Sequence, residues 1–313
     1  MPVAAIQFDH VSKSWGSSRG VDDINFSVPQ GVIFGFLGPN GAGKTTAIRM
    51  MIDAIRTTHG SIKILGLDSK RDSVAIHHKI GFLSGDMEMD RRLTGRQYLE
   101  YMANLHGNVA WGTIQKLVDR LDCQTDKKIA YLSRGNKQKI GLVAALMHNP
   151  DLLILDEPTS GLDPLIQQEF QKIIIERRNK GKTAFISSHV LSEVKEICDH
   201  VGFIREGKLV DVQPLKALQS KALRKVRVTL SKPRATALKG LKGVHNLHVD
   251  GNQISCDVTA NFDGLVKALA KLPVKDLVIE EASLDDLFMH YYVSSTEYQV
   301  SRAEHYQGNS DVQ

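Results

Sequence analysis

The sequence predicts an α/β domain built on a phosphate-binding loop, followed by a small α+β domain. Three observations carry this. The apolar stretch Val32, Ile33, Phe34, Gly35, Phe36, Leu37 runs into Gly38-Pro39-Asn40-Gly41-Ala42-Gly43-Lys44-Thr45-Thr46, and Ala47 to Ile52 then reads as helix. A second apolar run, Leu152 to Leu155, ends in the acidic pair Asp156-Glu157. Beyond about residue 213 the pattern changes to short alternating strands, with no catalytic constellation.

Strand, glycine-rich turn and helix are the context that Gly-x-x-x-x-Gly-Lys-Thr requires to hold a nucleoside triphosphate. The glycines let backbone N–H groups converge on phosphate oxygens, because a β-carbon there would block the approach. The helix N-terminus adds partial positive charge facing the anion. In this frame Lys44 bridges the β- and γ-phosphates, and the Thr45 hydroxyl ligates Mg²⁺.

A chain of 313 residues suffices for about two domains with real cores. Its 42% hydrophobic and 24% charged residues match an ordinary globular composition. No stretch approaches the roughly 18 apolar residues of a membrane span. The N-terminal Met1 to Gln7 lacks the pattern of a signal peptide. Cys123, Cys198 and Cys256 are far apart, which suits a reducing cytoplasm and core or semi-buried thiols. The net charge of +5 fits nucleic acid or an anionic membrane surface as partners, but it is spread along the chain with no basic run, which favours plain solvated surface, and charge alone decides nothing.

In chain order, residues 3–8 and 21–28 read as strands, the second with Ile24, Phe26 and Val28 alternating. Between them Val11 to Gly16 is turn-like and carries Trp15, which can stack on an adenine face or pack on the sheet edge. Position alone favours the sheet edge. Ile62 to Leu65 and Ile80 to Leu83 read as short strands. From Thr94, an N-cap, Tyr98, Leu99, Met102 and Leu105 recur at helical spacing, and helical patterns fill roughly 111–121 and 137–148. Residues 92–148 therefore form a mostly helical insert.

The frame resumes at Leu152. Four apolar residues ending in a carboxylate pair describe a buried parallel strand with its acidic tip at the carboxyl end, where open α/β sheets bind ligands. Asp156 is placed to hold Mg²⁺ through water, and Glu157 to polarise an attacking water. Thr183 to Ser187 is a further strand, and His189 just beyond its tip is a γ-phosphate contact if this strand neighbours the Asp156 strand.

These motifs, in this order, resemble those of the ATP-binding cassette (ABC) ATPases. Leu132-Ser133-Arg134-Gly135-Asn136-Lys137-Gln138 resembles the signature motif, usually Leu-Ser-Gly-Gly-Gln. Leu152 to Asp156 with Glu157 is similar to the Walker B strand, Ser160-Gly161-Leu162-Asp163 to the D-loop, and His189 to the switch histidine. The resemblance spans about residues 3–212 and implies an ABC-type P-loop NTPase fold, with a mixed-sheet core and a helical subdomain. It also places Trp15 where the family's adenine-stacking aromatic stands. Two positions depart from the pattern. Arg134 and Asn136 replace the signature's second glycine and terminal glutamine, while Ser133 and Gly135, similar to the residues that grip the γ-phosphate, are retained. Where the family usually carries a Q-loop glutamine, this chain has Gly85-Asp86. Either Asp86 substitutes by a one-residue shift, or the contact is absent.

The resemblance implies two cassettes sandwiching two ATP molecules, each phosphate loop facing the other subunit's Ser133 and Gly135. Glu157 then acts as general base or water-orienter, and His189 holds the transition state. One copy of each motif implies a homodimer, or a heterodimer with a similar subunit. It further implies an ATPase subunit on the inner face of the cell membrane, docked to a separate permease around the Gly85 loop and the following helix. The other class is a soluble ABC ATPase working on ribosomes or nucleic acid. Such proteins usually carry two cassettes or a long coiled-coil insertion, and neither is visible.

The last third, residues 213–293, reads as an accessory α+β domain. Arg224 to Leu230 alternates like a strand, residues 234–240 form a short helix, and Val244 to Val249 and Asn252 to Val258 flank the hairpin turn Asp250-Gly251. A helix carrying Leu265, Leu269 and Leu272 and the strand Lys275 to Glu280 complete a β-α-β-β-α-β order. Ser283 caps a last helix, and Glu280 to Phe288 is similar to a run in ATPase subunits of exporters with a separate permease. Residues 294–313 are polar and read as disordered.

Overall fold

The computed structural model describes residues 4–16, 18–221, 224–232, 238, 240, 241, 243–258 and 262–280. The chain divides after Gln213 into two units.

The first unit begins with a long hairpin, β1 (Ala4–Trp15) and β2 (Ser18–Pro29), then β3 (Ile33–Leu37) and α1 (Lys44–Met51). Val11 to Trp15 is therefore strand rather than turn, paired through Val11↔Ile24 and Lys13↔Val21. Register shifts between Phe8 and Lys13 break the two-residue alternation there, which is why the sequence pattern fades while the pairing continues. β4 (His59–Ile64), β5 (Leu67–Asp68), α2 (Ser73–Lys79) and β6 (Ile80–Leu83) follow.

The helical insert comprises α3 (Gly95–Leu105), α4 (Trp111–Arg120), a 3₁₀ turn at Ile129–Tyr131 and α5 (Arg134–Leu146). Thr94 caps α3 in a complete capping box with Gln97. The unit closes with β7 (Leu152–Asp156), α6 (Pro164–Asn179), β8 (Thr183–Ser188), α7 (Leu191–Ile197), β9 (His200–Arg205) and β10 (Lys208–Pro214). Asp163 accepts a hydrogen bond from the Ile166 N–H at 3.1 Å and caps α6, with Pro164 in the first turn.

These strands form two sheets. The first has the order β2-β1-β4-β5, with antiparallel pairs throughout. The second has the order β10-β9-β3-β8-β7-β6, and β9, β3, β8, β7 and β6 run parallel. Every residue of β3, β7 and β8 is buried, as continuous apolar runs in a doubly covered sheet require. An aromatic stack fastens the two sheets: Phe8 and Phe26 lie 4.7 Å apart, Phe26 meets Phe34 at 5.6 Å, and Phe34 meets Phe185 at 5.6 Å. Each such pair adds about 0.5–1.5 kcal/mol beyond burial. The result is a layered α/β unit in which the phosphate-binding loop follows a central parallel strand, as the sequence predicts.

The second unit holds α8 (Leu215–Lys221), β11 (Arg224–Leu230), β12 (Val244–Asp250), β13 (Gln253–Val258), α9 (Asp263–Leu269) and β14 (Val274–Glu280). Its sheet order, β12-β13-β11-β14, is that of a split βαβ fold. Val226, Val228, Ile254, Cys256 and Val258 form the buried face with Leu265 and Leu269 of α9. The helix expected over 234–240 falls mostly outside the described residues. The run from Glu281 to Phe288 and the tail 294–313 lie wholly outside them.

Candidate functional site

The parallel sheet fixes which loops meet. Leu37 pairs with Ser188, Asp156 with Ser187, and Leu83 with Leu155. The phosphate loop, Asp156-Glu157, Ser187 to His189 and the loop at Gly85 therefore leave the sheet side by side at its carboxyl edge.

Gly43 adopts φ 107° as the N-cap of α1, a conformation that disfavours any side chain. Within the loop the Ala42 N–H donates to the Pro39 carbonyl at 3.1 Å, which folds Asn40-Gly41 into a turn. Lys44 is buried. Its Nζ donates to the Gly38 carbonyl at 2.5 Å and the Pro39 carbonyl at 3.2 Å, and lies 3.3 Å from Glu157 Oε1. The cation thus spans the loop and the acidic strand tip.

Asp156 Oδ2 accepts from Thr45 Oγ1 at 2.8 Å, and Asp156 Oδ1 from Ser187 Oγ at 2.5 Å. Ser187 Oγ in turn accepts from the Glu157 N–H at 3.0 Å. Hydroxyl and carboxylate oxygens at this separation are the hard donors that Mg²⁺ takes, so the residues present fit that ion.

Glu157 sits at φ 49°, a left-handed conformation costing roughly 1–2 kcal/mol for a residue with a side chain. The buried Gln138 amide holds the turn, donating to the Glu157 carbonyl at 3.2 Å and the Pro158 carbonyl at 3.1 Å. The result aims the carboxylate. Oε2 meets His189 Nδ1 at 2.8 Å, while Oε1 is buried without a hydrogen bond, beside Lys44.

Ser133 is the N-cap of α5 and accepts from the Asn136 N–H at 3.2 Å. Gly135 lies against the D-loop of the same chain, where a β-carbon would stand 2.5 Å from the Gly161 carbonyl oxygen. Arg134 Nη2 donates to Ser160 Oγ at 3.3 Å. The Ser160 N–H donates to the Glu157 carbonyl at 3.2 Å, and the buried Leu162 bonds back to Thr159 through its N–H at 3.1 Å. Asn136 exchanges two 2.7 Å hydrogen bonds with the Gln124 backbone, so its amide is spent on the helical insert.

Trp15 is 48% exposed, with Lys13 Nζ 5.4 Å from its ring centre. Gly20 lies against both the Trp15 ring and the Thr46 methyl, which sets the tryptophan beside the phosphate loop. At the irregular loop, a β-carbon on Gly85 would stand 3.4 Å from Asp156 Oδ2. Asp86 instead is highly exposed and faces Arg49 at 3.9 Å. Asp86 does not take over the missing side chain. No sequence motif assigns a role to Gln138, Ser187 or Glu193. Their roles depend on strand register and on helix packing that spacing alone does not give.

Comparison with known proteins agrees with this fold. The ABC transporter family model matches residues 21–160. The bacitracin transport ATP-binding protein BcrA of Bacillus licheniformis is 39% identical over 72% of this chain and 75% of its own. The daunorubicin resistance ATP-binding protein DrrA3 of Streptomyces coeruleorubidus is 30% identical over 93% of this chain and 96% of its own. A solved ATP-binding subunit of an ABC transporter superposes with a TM-score of 0.63 at 25% identity, covering 69% of this chain and 92% of that one. The dimeric bacterial cassette MJ0796 matches in fold, with a TM-score of 0.62 at 19% identity, covering 67% of this chain and 98% of that one.

Proposed function

The chain belongs to the ATP-binding subunits of ABC transporters and hydrolyses ATP to drive transport, and from that premise we propose how its residues do so and for what kind of transporter. The observation that carries the mechanism is the convergence of Lys44, Thr45, Asp156, Glu157 and His189 at one sheet edge, tied by the 2.8 Å Thr45–Asp156 and Glu157–His189 hydrogen bonds.

Lys44 and the phosphate-loop N–H groups bind the β- and γ-phosphates, and the Trp15 face stacks on adenine. Thr45 and, through water, Asp156 would hold Mg²⁺, whose charge would neutralise the phosphate oxygens. Glu157 Oε1, the oxygen without a hydrogen bond, orients the attacking water and takes its proton. His189 fixes the other carboxylate oxygen through Nδ1 and leaves Nε2 for the transferred phosphoryl group. Ser133 and Gly135 of a second subunit complete the site, so closure of the dimer follows ATP binding and opening follows hydrolysis. The second subunit is another copy or a similar cassette.

No helix among the described residues is long and apolar enough to cross a membrane. The membrane path belongs to a separate permease, with this subunit on its inner face. Export of an antibiotic-like molecule is the transport reading, supported by relatives named for bacitracin transport and daunorubicin resistance.

The Glu157→Gln variant of the full chain tests this. Turnover is expected to fall at least about a hundredfold while ATP converts monomer to a stable dimer, read by phosphate release and light scattering. Turnover within a few-fold of wild type would remove Glu157 from its role. In detergent extracts the trapped dimer is expected to carry a polytopic membrane protein, whereas retention on ribosomes or RNA would move the protein to the soluble class.

A further inference from the structure

Glu193 belongs to none of the motifs above. It stands in the first turn of α7, four residues after His189, and both of its carboxylate oxygens are engaged. Oε1 accepts from Thr159 Oγ1 at 2.7 Å, and Oε2 accepts from Ser188 Oγ at 2.8 Å. Both donors belong to buried residues. Thr159 follows Glu157 by two residues, and Ser188 immediately precedes His189.

The connections close on themselves. Glu157 leads through Pro158 to Thr159, Thr159 to Glu193, Glu193 to Ser188, and Ser188 to His189, whose Nδ1 returns to Glu157 Oε2 at 2.8 Å. An ionised carboxylate only accepts, so it can hold two hydroxyl donors at once. A glutamine there would turn an N–H₂ toward one of them. Ser188 Oγ meanwhile accepts from the Val190 N–H at 2.9 Å, which fixes the start of the loop behind His189, and of its two acceptors Glu193 Oε2 at 2.8 Å is nearer than the Val190 carbonyl at 3.3 Å. The Ser160-Gly161 turn that faces Gly135 follows directly on Thr159.

We propose that Glu193 is a positioning residue for ATP hydrolysis: its carboxylate clasp on Thr159 and Ser188 sets the spacing between the Glu157 loop and the His189 loop. Through Thr159 it also links the turn that faces the signature to the switch histidine. The inference rests on the roles given to Glu157 and His189.

The test uses the full-length chain, with steady-state ATP turnover, nucleotide affinity and thermal melting measured together. Glu193→Ala is expected to lower kcat about tenfold to a hundredfold, as misplacement of reacting groups by an ångström does. KM for ATP should stay within about threefold, because Glu193 touches neither Lys44 nor the phosphate loop. Glu193→Gln, which keeps one acceptor, should recover part of the loss. Thr159→Val added to Glu193→Ala should cost little more, since both break the same link.

A kcat for Glu193→Ala within twofold of wild type would overturn the proposal, as would a raised KM with kcat unchanged. Should Glu193→Ala fail to fold, Thr159→Val and Ser188→Ala each remove one donor. A lowered kcat in both supports the clasp, and an unchanged kcat in both overturns it. The Glu157→Gln variant separates the two claims. If it keeps turnover, the site itself has been misread. If it is silent while Glu193→Ala is unaffected, only the clasp fails.

Discussion

At the carboxyl ends of β6 and β7, polar side chains face one another: Asp156 meets Thr45 and Ser187, and Glu157 meets Lys44 and His189. At the amino ends of the same strands, polar side chains serve the backbone instead. His148 Nε2 donates to the Ile80 carbonyl at 3.0 Å, and Arg177 of α6 donates to the Pro150 carbonyl at 2.5 Å and to Asn149 Oδ1 at 3.0 Å. The His148 ring stacks on His106 with centres 3.9 Å apart, and the His106 Nδ1 is buried without a partner. One end concentrates mutually facing charge that a ligand can rearrange. The other caps the sheet with helix-borne groups that nothing needs to displace. Substitutions at the first end should therefore cost activity before stability, and at the second stability before activity.

The sharpest test of the first half is Lys44→Ala. Removing the only side-chain cation within the loop is expected to weaken ATP binding by at least about a hundredfold, measured by calorimetric titration. The melting temperature should move by no more than a few degrees: the desolvation of the buried cation is relieved, and the Glu157 carboxylate it leaves behind keeps its hydrogen bond to His189. A collapse of the fold with this variant would erase the contrast between the two ends. Gly135→Ala should act more mildly and in a different step. Its β-carbon would stand 2.5 Å from the Gly161 carbonyl oxygen and must push the D-loop turn aside. Turnover should drop about tenfold with ATP affinity of the monomer unchanged, because Gly135 does not touch its own phosphate loop. Equal losses in affinity and turnover would place the signature in the wrong step.

The two ends also differ in how far the sequence reveals them. The phosphate loop and the Asp156-Glu157 tip announce themselves because each is a local string: glycines at fixed spacing, or an apolar run with acids at its end. So does α3, whose Thr94 cap and Gln97 are three residues apart. What stays hidden depends on register or packing. Ser187 matters because it pairs opposite Asp156 on the neighbouring strand. Gln138 matters because the inner face of α5 meets a strained turn 19 residues later. Trp15 is extended rather than looped because bulges carry β1 past the point where its alternation fails. Gly85 was legible as a missing side chain. That Asp86 turns to Arg49 rather than Asp156 could come only from the geometry.

The amino end yields the smallest effect and a different observable. Burial lowers the pKa of His106, with His78 and His77 adding to it, and burial together with the neighbouring His106 lowers that of His148. The Ile80 and Ala144 backbone carbonyls oppose the shift at His148, and Arg177 of α6 reinforces it. Both rings thus take up protons less readily folded than unfolded, where a histidine titrates near 6.5. As pH falls through about 6.5 toward the lower folded values, the unfolded chain binds more protons, so stability falls with pH in that window and is fully present above it. Melting scans from pH 7.5 to 5.5 should show this as a slope of no more than about 3 °C. His148→Gln, which keeps a donor for Ile80 but cannot titrate, should reduce the slope to the share of His106 while leaving turnover at pH 7.5 unchanged. A slope undiminished in His148→Gln would mean that protons enter elsewhere. A loss of turnover at pH 7.5 would mean that the two ends of β6 and β7 are coupled, and that the His148 contact to Ile80 reaches the site through β6 and the Gly85 loop that follows it.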